Sequence, residues 1–136
     1  MLQIYATNCS GCTLRRLFIY DPDLDLWFLI DTGADVSIVP ARHRDRVVKD
    51  SFKLYAANGT IIDTYGERSM QVSLGLRRAC TWRFVVADVQ YAIIVADFLT
   101  HHELLPDLKN GCLVDGKTLL YAVGSMSMST THPSPA

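Results

Sequence analysis

Leu26-Trp27-Phe28-Leu29-Ile30 is an unbroken apolar run that ends on Asp31-Thr32-Gly33. Such a run, closed by turn residues, reads as a strand buried on both faces, which puts an ionisable side chain at the exit of the hydrophobic interior. Burial there disfavours the carboxylate and raises its pKa, the condition an acid–base group needs. Gly33 permits a tight turn and close backbone approach, and the Thr32 hydroxyl can satisfy a backbone group inside the loop. The same three residue types favour ordinary turns, so their meaning depends on what surrounds them.

The rest of the chain reads as short strands separated by turns. Arg16 to Tyr20 forms a hairpin with Leu26 to Ile30 across Asp21-Pro22-Asp23. Val36-Ser37-Ile38-Val39 is a β-branched run stopped by Pro40, and Ala41 to Asp50 is a charged, solvated connection. Asn58-Gly59, flanked by Leu54-Tyr55 and Ile61-Ile62, is a two-residue hairpin signal and predicts a protruding β-hairpin. Met70, Val72 and Leu74 alternate with Ser69, Gln71 and Ser73; beyond Gly75 to Arg78, Cys80, Trp82, Phe84 and Val86 alternate with Thr81, Arg83, Val85 and Ala87. Residues 97–102 allow one short helix before Pro106. Leu104 to Leu108 and Cys112 to Val114 then form a closing hairpin across Asn110-Gly111, and Lys117 to Val123 adds an edge strand. The reading is all-β: a lead segment over 1–15, one domain over 16–123, and a flexible Ser/Met/Pro tail over 124–136.

Composition narrows the partners. A chain of 136 residues with 49% hydrophobic and 20% charged content is a single soluble domain by size. A net charge of -1 and the lack of a basic stripe argue against nucleic acid as a partner. No apolar stretch approaches the ~18 residues that span a bilayer, and no signal sequence is visible, so no membrane partner and a cytoplasmic location are expected. Cys9-Ser10-Gly11-Cys12 has the spacing of a zinc half-site, but Cys80 and Cys112 stand far apart and no histidine pair completes it. No metal and no cofactor are expected, and Cys80 and Cys112 read as small core hydrophobes. Asn8-Cys9-Ser10 and Asn58-Gly59-Thr60 match a glycosylation pattern that matters only in a secreted protein.

Asp31-Thr32-Gly33-Ala34-Asp35-Val36-Ser37-Ile38-Val39-Pro40 resembles the active-site segment of retropepsins, the aspartic proteases of retroviruses and long-terminal-repeat retrotransposons. Ile93-Ile94-Val95-Ala96-Asp97-Phe98-Leu99 is similar to a second family element, two hydrophobic residues and Gly followed by a short helix. Leu54 to Gly66 is similar to the flap region of gypsy-type retrotransposon proteases, and the three elements stand in the family's order over residues 17–115. The resemblance implies a closed acid-protease β-barrel with a flap hairpin, working as an obligate two-fold homodimer. It makes Asp31 catalytic, one per subunit, with Thr32 bracing the pair across the interface and Gly33 letting the loop approach its mate. It also places Ala34 and Asp35 along the cleft, Asp35 holding the substrate backbone, and Ala56 to Thr60 in the flap, with Ala57, Asn58 and Gly59 against substrate.

Counting acids sharpens that expectation. Peptide hydrolysis by carboxylates needs one base on a water and one protonated acid on the scissile carbonyl, and two carboxyls about 3 Å apart share a proton and titrate as a unit. The chain holds one Asp-Thr-Gly; Asp63-Thr64 runs into Tyr65, and Asp115-Gly116 lacks the strand and loop context. The second acid therefore comes from another copy. The function expected is an endopeptidase hydrolysing a retrotransposon-type polyprotein, in the cytoplasm or within virus-like particles.

Val95 stands where the resemblance leads one to expect Gly. Overpacking there costs about 1–3 kcal/mol, and a β-branched residue is poor wherever φ must be positive. That departure opens an alternative, a catalytically decayed or domesticated copy that keeps the dimeric fold as an interaction domain. A third reading is a cellular retropepsin-like protease joined to other domains. Ile62 and Val95 are candidates for pocket walls or for core.

Overall fold

The computed structural model describes residues 2–4, 16–56 and 58–127. Twelve strands and one α-helix follow in chain order: β1 (Leu2–Ile4), β2 (Arg16–Asp21), β3 (Leu26–Ile30), β4 (Ile38–Pro40), β5 (Lys53–Ala56), β6 (Ile61–Val72), β7 (Cys80–Ala87), β8 (Ala92–Ile94), α1 (Ala96–His101), β9 (Leu104–Asp107), β10 (Cys112–Asp115), β11 (Tyr121–Val123) and β12 (Ser125–Ser127). Nine strands make one sheet in the order β1-β5-β6-β7-β4-β8-β3-β2-β12, and β11-β10-β9 make a second. The mostly β reading with one short helix is thus met.

Among the described residues no backbone ladder joins the two edges of the large sheet; side chains close it instead. Leu17, Ile19, Phe28 and Ile30 from one end share a core with Val72, Phe84 and Val86 from the other, capped by Phe98 of α1. Asp21, at the end of β2 and fully buried, fastens the seam. Its carboxylate accepts the Asp23 and Leu24 N–H of its own turn and, 52 and 53 residues on, the N–H groups of Ser73 (2.7 Å) and Leu74 (3.2 Å). A buried carboxylate with this many donors is satisfied rather than costly.

Alternation holds through β6 and the first half of β7, but Ala87 is fully buried and Val85 packs beside it in the second core cluster, so the end of β7 is covered on both faces. Val72 and Leu74, then Cys80, Phe84 and Val86, are buried, while Ser69, Gln71, Thr81 and Arg83 are exposed. Four further details differ from the sequence reading. β4 starts at Ile38, with the Ser37 carbonyl accepting the Val85 N–H at its entry. The connection after Pro40 contains a 3-10 turn at His43–Val47 with no buried residue. The hairpin loop between β5 and β6 has three residues rather than two: Gly59 N–H reaches the Ala56 carbonyl at 2.9 Å and Ala56 N–H the Thr60 carbonyl at 2.9 Å. Among the described loop residues Gly59 (φ +85) takes the left-handed conformation and Asn58 does not, whereas a two-residue type I′ turn would need it at both central positions. Finally, the ordered sheet passes Gly124, since Ser125–Ser127 pair antiparallel with Phe18 to Arg16 of β2. A backbone ladder needs no apolar pattern, and Met126 adds contact with the core.

Candidate active site

β3 delivers Asp31. It runs parallel to β8 with Ile30 opposite Ile94, and the pairing continues one step as Asp31 N–H donates to the Ile94 carbonyl at 2.9 Å. The next residues leave the sheet as a loop that returns as β4, which lies between β7 and β8. The loop therefore straddles β8, and its backbone is fixed at both ends by the same central strands.

Within the loop, Asp31 is half-buried, Thr32, Gly33 and Asp35 are exposed, and Ala34 is buried beside Ile38, Ile93 and Val95. Gly33 N–H donates to Asp31 Oδ1 at 2.9 Å, which orients the carboxyl. Burial pushes the Asp31 pKa up; the Gly33 N–H and the Arg16 charge pull against it, and burial is the largest of the three. The acid expected at the exit of a buried strand thus has the perturbation that position implies.

Sequence reasoning missed the side chains that hold this loop from behind. Ser37, 2% exposed, accepts the Val95 N–H at 3.1 Å and donates to Asp97 Oδ1 at 3.1 Å. Asp97 also accepts the Phe98 N–H at 2.6 Å, in the first turn of α1. The Asp31 loop, the end of β8 and the start of α1 are thus one hydrogen-bonded unit. The available signal was a serine inside an apolar, β-branched run, a residue that has to find a partner if that run is buried.

Val95 sits at φ -119 and ψ -176, ordinary extended backbone, as the residue preceding α1. The strain expected of a valine at positive φ does not arise. Val95 is 1% exposed and packs with Phe18, Leu29, Ala34, Ile38 and Ile93, so it is core rather than pocket wall; Ile62 is half-buried against the same cluster.

Asn58 and Gly59 occupy the exposed tip of the β5–β6 hairpin, where Asn58 Oδ1 accepts the Thr60 N–H at 2.9 Å; Ala57, like Cys9 and Cys12, lies outside the described residues. One cleft, about 780 Å³, is lined by Val36, Ser37, Glu67, Trp82, Asp97 and His101, not by Asp31. A second, about 530 Å³, runs from Thr32 past Leu99 to Leu105 and Pro106. Asp31 lines neither cleft, and among the described residues no second carboxyl is one of the groups that perturb it, so the half-buried acid is chemically half of an acid–base pair. Among the described residues no cluster of three or more His, Cys, Asp or Glu could hold a metal.

The architecture is that of retropepsin-like domains. The chain is similar to the retroviral protease-like domain of Ddi1 from Leishmania major, at 21% identity over 84% of this chain and 95% of that one, with a TM-score of 0.60. It is also similar to EIAV protease complexed with the inhibitor HBY-793, at 21% identity over 76% of this chain and all of that one, with a TM-score of 0.51. At this identity the likeness establishes the fold. No protein-family model matches the sequence, and no curated protein matches it significantly.

Proposed function

We propose that this chain is an aspartic endopeptidase whose catalytic dyad is assembled from Asp31 of two copies. The observation that carries the reading is Asp31 itself: a half-buried carboxyl with a raised pKa, held by the Gly33 N–H on a loop anchored through Ser37, with no second acid among the described groups that perturb it. Two such loops related by a two-fold axis would bring two equivalent carboxyls together, one ionised to take a proton from water and one protonated to polarise the scissile carbonyl. The exposed Thr32 and Gly33 are placed to meet the same residues of the second copy, and the β5–β6 hairpin to close over an extended peptide held by main-chain hydrogen bonds. The order of the three motifs favours a retrotransposon-type polyprotein as substrate, in the cytoplasm or within virus-like particles. The non-catalytic alternative rested on overpacking and on positive φ at Val95, and the extended backbone speaks against the second of these.

The test is a peptide-cleavage assay run over a dilution series in parallel with sedimentation, on the full chain and on Asp31→Asn. Activity should fall with the dimer fraction, Asp31→Asn should be inert, and Asp31→Asn titrated into wild type should suppress cleavage by forming mixed pairs. Cleavage that persists in Asp31→Asn, or that is indifferent to dimer dissociation, refutes the shared dyad.

A further inference from the structure

Two strands that deliver Asp31 also deliver a cation to the same face of the sheet. β2 and β3 pair antiparallel with Leu17 opposite Ile30, so the next step of the register sets Arg16 opposite Asp31. Alternation puts both on one side: Leu17 and Ile30 point into the main core, while Phe18 and Leu29 point into the second cluster, and Arg16 stands two residues before Phe18 and Asp31 two after Leu29. Side chains in directly opposed positions lie about 5 Å apart at Cβ, well within reach of an arginine. This register therefore leaves an Arg16–Asp31 ion pair within reach.

It does not form. Arg16 Nη1 donates to the Tyr91 hydroxyl at 3.2 Å, and no ion pair between Arg16 and Asp31 is present among the described residues. Tyr91 stands immediately before β8, and its ring is set edge-on against Phe18, with centroids 5.5 Å apart and an interplanar angle of 80°. Phe18 is itself fully buried, so the ring that carries the hydroxyl has a fixed backing.

We propose that Tyr91 is a positioning residue that holds the Arg16 guanidinium off Asp31, keeping two cross-strand neighbours from closing an ion pair. The consequence bears on chemistry. A guanidinium in direct contact with Asp31 would hold the carboxyl ionised and oppose proton sharing in a dyad. Diverted to Tyr91, the charge acts on Asp31 only at a distance, and burial prevails. The other charged groups around the loop do not replace Arg16: Asp35 on the loop is an acid, and Asp97 on α1 is engaged by Ser37 and the Phe98 N–H.

The proposal rests on the reading of Asp31 as the catalytic acid, but its test does not need turnover. The Asp31 carboxyl is followed by carbon-detected NMR titration in the full chain for wild type, Tyr91→Phe, Arg16→Gln and the double variant. Tyr91→Phe releases the guanidinium and should lower the Asp31 titration; Arg16→Gln removes the charge and should raise it; the double variant should match Arg16→Gln alone. The Tyr91→Phe shift should shrink in high salt. An Asp31 titration that is unchanged or raised in Tyr91→Phe overturns the proposal, as does a double variant that follows Tyr91→Phe. In the cleavage assay the acidic limb of the pH profile should move the same way in each variant. If no variant and no wild-type sample cleaves peptide, the catalytic reading falls while the titration still decides the role of Tyr91.

Discussion

Ser37 Oγ donates to Asp97 Oδ1 at 3.1 Å across 60 residues of sequence, and accepts the Val95 N–H with its remaining capacity. A single buried hydroxyl thus ties the loop that carries Asp31 to the first turn of α1. Ser37→Ala leaves a buried N–H without its acceptor and should cost about 1–3 kcal/mol, read as a lower urea midpoint at unchanged m-value. Ser37→Thr keeps the hydroxyl and should retain most of that stability.

Asp31→Asn should separate function from stability. Because burial raises the folded-state pKa of Asp31 above its unfolded value, the folded state binds the extra proton, and stability falls as pH rises through that window. At neutral pH the ionised Asp31 is a destabilising group. The amide should therefore be as stable as wild type or more so at pH 7, with the difference vanishing in acid; a marked loss of stability at pH 7 contradicts the buried-acid picture.

Val95→Gly should not rescue anything. Val95 is almost fully buried among Phe18, Leu29, Ala34 and Ile93, with extended backbone that any residue adopts. Glycine there leaves a cavity and adds backbone freedom, costing about 2–4 kcal/mol in thermal or urea unfolding and gaining no activity. A glycine variant that cleaves where wild type does not would restore the idea of a decayed copy.

These three residues mark where the sequence was legible. Asp31 was readable because its cause is local: an apolar run followed by Asp-Thr-Gly. β6 and the first half of β7 were readable because their buried and exposed positions alternate with period two. Ser37 and Asp97 were not, since their link depends on β4 entering between β7 and β8, a non-local choice that no local pattern encodes. The extended φ of Val95 is hidden for the same reason: family spacing suggests a residue type, while φ is set by how β8 hands over to α1. β12 was missed because its ladder with β2 uses backbone groups, which every sequence has.

Acid should destabilise the fold through two named groups. His102, buried against Trp82 and Phe98 with Nε2 on the Thr81 carbonyl, has its pKa lowered chiefly by burial. The unfolded state then binds the proton first, so this contribution is complete above about pH 6.5 and is lost as pH falls below it. Asp115, 0% exposed, is held at about 2 chiefly by its hydrogen bond from Arg78, which also donates to the His102 carbonyl. Its contribution is present above the ordinary carboxylate pKa and disappears as pH falls from about 4 toward 2. Urea midpoints against pH should decline in both windows; His102→Phe should flatten the upper one, and Arg78→Met, which strands a buried carboxylate, should cost about 3–5 kcal/mol at pH 7.

Glu103 follows α1 at φ +56, the left-handed position that closes a helix and that glycine adopts without penalty. Its backbone is used: the Glu103 N–H reaches the Thr100 carbonyl, and its own carbonyl accepts the Gly116 N–H at 2.8 Å. Its side chain makes an exposed ion pair with Lys117 at 3.5 Å, an interaction of the kind worth little in water. Glu103→Gly keeps both backbone bonds, gives up the exposed pair and relieves a left-handed cost of about 1–2 kcal/mol. Set against the freedom glycine adds to the unfolded chain, the variant should be more stable than wild type by about 0.5–1 kcal/mol, with cleavage unchanged. A loss of stability would mean that the Glu103 side chain contributes more to the junction of α1 and β9 than its exposure indicates.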